Sequence, residues 1–194
     1  VWDFVTDFGD SAVTLPLALL TSGFLLTVGA RRTAVAWLVA IGGCAATMAA
    51  LKLVFGACGH ATGPAGIVSP SGHAAMSTVV YGGLAVLVGR HQPLRRRWAA
   101  GAMAGLAVIG IGLSRWVLDD HRLAEVALGL AVGAAALGLF AVRLGREPLP
   151  PLPFGWLVLG AGLLLVLMHG TRWMVEPAVH RLAWAFRLAL PWCR

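Results

Sequence analysis

The sequence predicts an all-α integral membrane protein, a single bundle of six transmembrane helices. Three observations lead there. Hydrophobic residues fill 59% of the 194 positions and charged residues only 12%, about half the charged share of a soluble domain. The apolar residues gather into six runs near the roughly 20 residues that a bilayer crossing needs. Between those runs the charges sort by sign. A soluble core is the competing explanation, but it requires helices apolar on every face, more than a chain this small covers.

The elements follow in chain order. Residues 1–11 set Trp2, Phe4 and Phe8 among Asp3, Asp7 and Asp10, a pattern for a short amphipathic segment at the membrane interface. The first span, about 12–30, is long for a signal-peptide core and follows no basic stretch. The second runs over about 33–55 and carries Lys52 near its end. Pro70 and Ser71 are start signals for the third, 72–89. The fourth covers 98–116 and the fifth 122–142. Gly101/Gly105 and Gly129/Gly133 recur four apart on these two, which favours close helix packing in lipid. The proline-rich stretch 148–153 cannot continue a helix and turns the chain into the sixth span, 154–175. The tail 176–194 mixes arginine and tryptophan with leucine and alanine and is predicted to lie along the surface.

With six alternating spans, Arg31, Arg32, Arg90, Arg95, Arg96, Arg97, Arg143 and Arg146 share one side. Every acid except Glu147 falls on the other: Asp3, Asp7, Asp10, Asp119, Asp120, Glu125 and Glu176. The positive-inside rule makes the arginine face cytoplasmic. Both termini, the 56–70 loop and the 117–121 turn then face outward. An arginine-rich, lysine-poor composition fits a bacterial inner membrane, with the outward face toward the periplasm or exterior. The net charge of +7 does not indicate a nucleic-acid partner, because Arg95–Arg97 is a short run without interleaved aromatics. Cys44 lies mid-span and reads as packing. Cys58 and Cys193 both fall outside, where a disulfide is permitted, and their pairing stays open.

The chemistry gathers at the outward end. Pro70-Ser71-Gly72-His73 opens the third span, and a helix start offers unpaired N–H groups to an anion; plain N-capping by Ser71 is the simpler alternative. Gly72 allows close backbone approach. Ser114-Arg115 closes the fourth span and His121 opens the fifth. Glu125 follows His121 by four residues, on the same helical face, where a carboxylate can hold the imidazole in one tautomer. Lys52 is the only lysine, and an ionisable group within a span marks a candidate site; snorkelling is its alternative. The topology puts Lys52, Ser71, Gly72, His73, Arg115, His121 and Glu125 at one end. Asp119 and Asp120 read as a solvated turn, His169 and His180 as isolated interfacial residues, and Trp116, Trp156 and Trp173 as an aromatic belt.

The Pro-Ser-Gly-His tract at 70–73, with Ser114-Arg115 and then His121 after five residues, resembles the type-2 phosphatidic acid phosphatase family. These are integral-membrane lipid phosphatases in a superfamily with vanadium haloperoxidases. The likeness covers about residues 50–130, and a single domain is expected. It implies that His121 is the nucleophile and passes through a phosphohistidine. Glu125, in place of the family's usual aspartate, orients it. His73 is the general acid, while Lys52, Ser71, Gly72 and Arg115 bind phosphate. No cofactor or metal is implied. The family's first motif has an arginine seven residues after its lysine, where this chain has Gly59 followed by His60. His60 or Arg122 takes that arginine's place, or the site binds phosphate more weakly.

The expected function is therefore hydrolysis of a phosphate monoester or diphosphate on a membrane lipid. The candidates are a polyprenyl diphosphate such as undecaprenyl diphosphate, phosphatidic acid, phosphatidylglycerol phosphate and a lipid A phosphate. Lipid phosphotransfer at the same site and non-catalytic binding of phosphorylated lipids are the alternatives. The oligomeric state is open.

Overall fold

A computed structural model of the chain describes residues 1–58, 67–146, 153–173 and 181. The described residues form helices only. In order these are α1 (Trp2–Asp7), α2 (Ser11–Thr27), α3 (Arg31–Cys58), α4 (Gly72–Gly89), α5 (Leu94–Val117), α6 (Leu123–Arg146) and α7 (Phe154–Met168). Five apolar stretches are long enough to cross a membrane: Trp2–Thr27, which takes in α1 and α2, and those of α3, α4, α5 and α6. The predicted sixth span is an apolar helix of 15 residues. At 1.5 Å per residue it is about 22 Å long, short of a hydrocarbon core of about 30 Å. The chain is an integral membrane protein with five or six such helices.

Helix α4 is the axis of the bundle, packed against α2, α3, α5 and α6. Its contact with α6 is close because of two of the glycines. A Cβ at Gly133 would stand 2.5 Å from the Ala75 carbonyl oxygen and 2.7 Å from Thr78 Cβ, and one at Gly129 would overlap the Ser71 carbonyl. The other predicted pair behaves differently, since Gly101 and Gly105 face open space. The spacing was equal in both helices. Only the position of α4 decides which pair is used.

The two halves of the bundle differ in chemistry. Toward the arginine-bearing ends, Trp37 is fully buried against Phe140, with ring centroids 5.2 Å apart. Its indole Nε1–H donates to the Ala18 carbonyl at 2.9 Å, which satisfies the polar atom of this buried ring. Leu17, Leu25, Leu87 and Leu144 complete the core there. Toward the other end the buried side chains turn polar and include Asp10, Ser71, Ser114, Arg115, His121 and Glu125. Outward faces carry exposed Leu106, Ile109, Leu139 and Val166, as expected of surfaces solvated by lipid tails.

The N-terminal segment contributes more than an interfacial helix. Helix α1 packs on α5 and buries Thr6 and Asp7. Helix α7 packs on α2, and the residues after it reach back to α1. Arg172 Nε donates to Asp7 Oδ1 at 2.8 Å, and its Nη2 lies 3.5 Å from Asp3. The hydrogen bond and charge of Asp7, with Asp3 behind them, raise the Arg172 guanidinium above its ordinary value. His169, predicted to be isolated, has Nε2 2.9 Å from the Phe4 carbonyl and packs, with its ring tilted, against Phe4 and Phe8. The predicted surface tail lies outside the described residues apart from Arg181, as do Cys193 and His180.

Candidate active site

The site is assembled from helix ends. Ser71 caps α4, its Oγ accepting from the Ala74 N–H at 3.4 Å, and it is wholly buried. The Ser71 N–H donates to the main-chain carbonyl of Glu125 at 3.1 Å, which ties the start of α4 to the first turn of α6. His73 then falls in the first turn of α4. Lys52 reaches the same point from α3: a Cβ at Gly72 would lie 3.8 Å from Lys52 Nζ. An alanine would fit there, so glycine serves by leaving the helix start open toward the ammonium.

The turn from α5 to α6 sets Arg115 against His121. The N–H groups of Asp120 and His121 both donate to the Arg115 carbonyl at 3.1 Å, closing the end of α5 in the manner of a helix C-cap. Asp119 takes the left-handed conformation this requires, with φ 59°, which aspartate tolerates better than most residues. The turn is exposed, as predicted. Asp120 in addition pairs with Arg115, Oδ2 to Nη1 at 2.9 Å. The same Nη1 donates to Thr6 Oγ1 at 3.1 Å. Arg115 Nε is buried with no partner among the described residues, and a buried guanidinium N–H carries a cost until an acceptor meets it.

His121 and Glu125 are 6% and 5% exposed, so their contact is shielded from water. His121 Nδ1 lies 3.2 Å from Glu125 Oε2. Glu125 also accepts the N–H groups of Val68 and Ser69 on Oε1, each at 2.8 Å, and that of Arg122 on Oε2 at 3.1 Å. Three backbone donors fix the carboxylate and share its charge, so it orients the imidazole as a hydrogen-bond acceptor. A cavity of about 490 Å³ lies over this pair, lined by Val68, Ser69, Trp116, Asp120, His121 and Arg122 among others. Trp116, predicted for an aromatic belt, is thus a wall of the cavity. His73, Lys52 and Arg115 lie outside its lining.

Two residues at the site were not singled out from the sequence. Asp10, the N-cap of α2, is 6% exposed. Its Oδ1 accepts the N–H groups of Ala12 at 2.7 Å and Trp173 at 3.2 Å, and its Oδ2 lies 3.6 Å from His73 Nε2. Gly9 lets the chain pass this close, since a Cβ there would stand 3.2 Å from His73 Cβ. Thr6 is the second, through its bond to Arg115. The available signal was Asp10 as a helix cap, a position that reveals nothing of a partner 63 residues away. His60 lies outside the described residues, while Arg122, the other candidate for the missing arginine's place, lines the cavity over His121 and Glu125.

Residues 33–147 match the PAP2 superfamily, more than half of the chain. The protein belongs to this superfamily. Membership supports a phosphatase acting on phosphate esters, here one embedded in a membrane. The chain is also 30% identical over 172 residues to a protein of Klebsiella pneumoniae described as an uncharacterized 22.5 kDa protein in the cps region, covering 87% of this chain and 82% of that one. No solved structure matches it.

Proposed function

We propose that the protein hydrolyses a phosphate monoester or diphosphate on a membrane lipid through a phosphohistidine on His121, at the outward face of a bacterial inner membrane. The observation that supports this most is the pairing of two histidines with two separate buried carboxylates at one end of the bundle. Two histidines in one reaction need opposite protonation states, and different surroundings supply them.

Glu125 accepts a hydrogen bond from Nδ1–H of His121, which leaves the nucleophilic lone pair on Nε2. Nε2 attacks phosphorus, and the bond from phosphorus to the lipid oxygen breaks. His73 delivers its proton to that departing oxygen. A water then attacks the phosphohistidine, His73 takes back a proton, and the nitrogen–phosphorus bond breaks to free phosphate and His121. Lys52, Arg115 through Nε, Ser71 and the Gly72 N–H at the α4 start hold the phosphoryl oxygens. Fixed donors of this kind stabilise the transferring group as its charge redistributes. Splitting the hydrolysis at a covalent intermediate lowers each barrier.

Purified protein in mixed micelles with chelator is expected to release phosphate from at least one of undecaprenyl diphosphate, phosphatidic acid, phosphatidylglycerol phosphate and a lipid A phosphate. Absence of release from the whole panel, with lipid binding intact, would favour the non-catalytic reading. Appearance of the phosphoryl group on an added acceptor lipid, in place of free phosphate, would make the protein a phosphotransferase.

Asp10 is assigned a positioning role. It orients the His73 imidazole and offsets the charge this ring carries as the acid. Asp10→Asn keeps the helix cap, since asparagine caps as well as aspartate, and replaces the charged acceptor facing His73 Nε2 with an amide NH2. Turnover of an alkyl phosphate should fall about tenfold or more, part of the usual contribution of a general acid. Turnover of an aryl phosphate, whose leaving group needs no proton, should fall far less. Equal losses on both substrates would show that Asp10 serves the fold alone.

A further inference from the structure

A second cavity among the described residues, about 720 Å³, is a groove between α3 and α6 that starts at the end of the bundle opposite His73 and His121. Arg31 and Lys52 are separated by 21 residues of one helix, so the two ends stand about 30 Å apart. Arg31, Arg32 and Arg143 line one end of the groove, and the rest of the described lining is apolar apart from Thr47. Arg31 and Arg32 open α3. Cations are poorly placed at a helix N-terminus, where the backbone dipole is already positive and favours an anion. On the α3 side of the groove the exposed Gly43 leaves open space, since a Cβ there would meet nothing within 4 Å.

We infer that this groove binds an anionic phospholipid, with its phosphate among Arg31, Arg32 and Arg143 and an acyl chain lying along Gly43. Two features select this occupant over a second copy of the chain. The cations are confined to one end, where a lipid headgroup would sit, and the remainder is an apolar strip of valine, alanine, leucine and phenylalanine with Gly43 open along it. An arginine fork matches a phosphate better than a point charge does. A lipid here is distant from the reacting groups and is bound, not turned over, so the inference stands or falls apart from the phosphatase reading.

The test exchanges the full-length protein into vesicles of phosphatidylglycerol and phosphatidylcholine in equal amounts, extracts it in mild detergent, and counts retained lipid by native mass spectrometry. About one phosphatidylglycerol per chain should remain, retained at least tenfold over phosphatidylcholine. Two variants attack the site by different routes. Arg31→Gln/Arg32→Gln/Arg143→Gln removes the charges and leaves the groove. Gly43→Leu fills the groove and leaves the charges. Each should lose the preference while melting, free of lipid, at the wild-type temperature. Equal retention of the two lipids by the wild type overturns the inference. So does phosphatidylglycerol retention that survives both variants, or that survives Gly43→Leu, which would place the lipid on surface arginines only. A dimer that forms in step with retention, and dissociates in the variants, would assign the groove to a second copy and overturn it as well.

Discussion

Alanine at position 121 is expected to remove phosphate release by on the order of 10⁴-fold or more, the scale seen when a covalent nucleophile is deleted. The loss belongs to kcat. Lys52, Arg115 and the α4 start remain, so lipid-phosphate binding should change by only a few-fold. His121 is buried but sits at a helix start beside a cavity, not inside the apolar core, so its truncation should leave the bundle intact by circular dichroism. Chemical quenching gives a second readout. With a substrate labelled in the phosphoryl group, the wild type should yield a protein-bound label that is stable to alkali and released by acid, as a nitrogen–phosphorus bond is. The alanine variant should yield none. Turnover that persists in His121→Ala would remove the assignment of the nucleophile, and an acid-stable label would move it to an oxygen.

Glu125→Gln should cost nearly as much, about 10⁴-fold in kcat, for a different reason. The glutamine oxygen can still accept the Val68 and Ser69 N–H groups. Its amide nitrogen would then face the Arg122 N–H and His121 Nδ1. A donor there forces Nδ1 to act as acceptor and moves the ring proton to Nε2, the atom that must attack. The same tautomer error explains the loss when the aspartate of a serine-protease triad becomes asparagine. The clash of the amide with the Arg122 N–H adds a stability loss of about 1–3 kcal/mol, visible as a lower melting temperature. Glu125→Asp separates the two effects. It retains the acceptor but is one methylene shorter, so it should keep the tautomer and lose activity only through distance. If glutamine is tolerated within tenfold, Glu125 does not control the proton on His121.

The legibility of the site followed the range of its interactions. His121 and Glu125 could be paired from sequence because an i,i+4 contact is internal to one helix. Ser71 could be read as a cap for the same reason, since its bond to Ala74 spans three residues. Asp120 lies in an exposed turn, as read from the sequence, but its ion pair with Arg115 was missed because a reversal of the chain at Asp119 brings the two together, and the side-chain directions in such a turn depend on one left-handed residue. Asp10 and Thr6 were missed altogether. Both lie in a segment whose aromatic and acidic residues fit an interfacial helix equally well, and both act on residues from distant helices.

What the sequence determined by itself is a matter of solvent preference and local geometry. The apolar runs, the separation of arginines from acids and the start signal at Pro70-Ser71 are properties of short windows, and they led to a helical membrane bundle with its polar chemistry at one end. Tertiary structure alone decided which faces meet. It placed Gly129 and Gly133 against α4 while leaving Gly101 and Gly105 outward, folded the N-terminal segment over Arg115 and His73, and left a groove beneath Arg31, Arg32 and Arg143. The physical reason is that lipid solvates an apolar helix almost as well on any face. Pairing therefore rests on close packing and on a few buried hydrogen bonds between segments remote in sequence, and neither leaves a periodic trace in the chain.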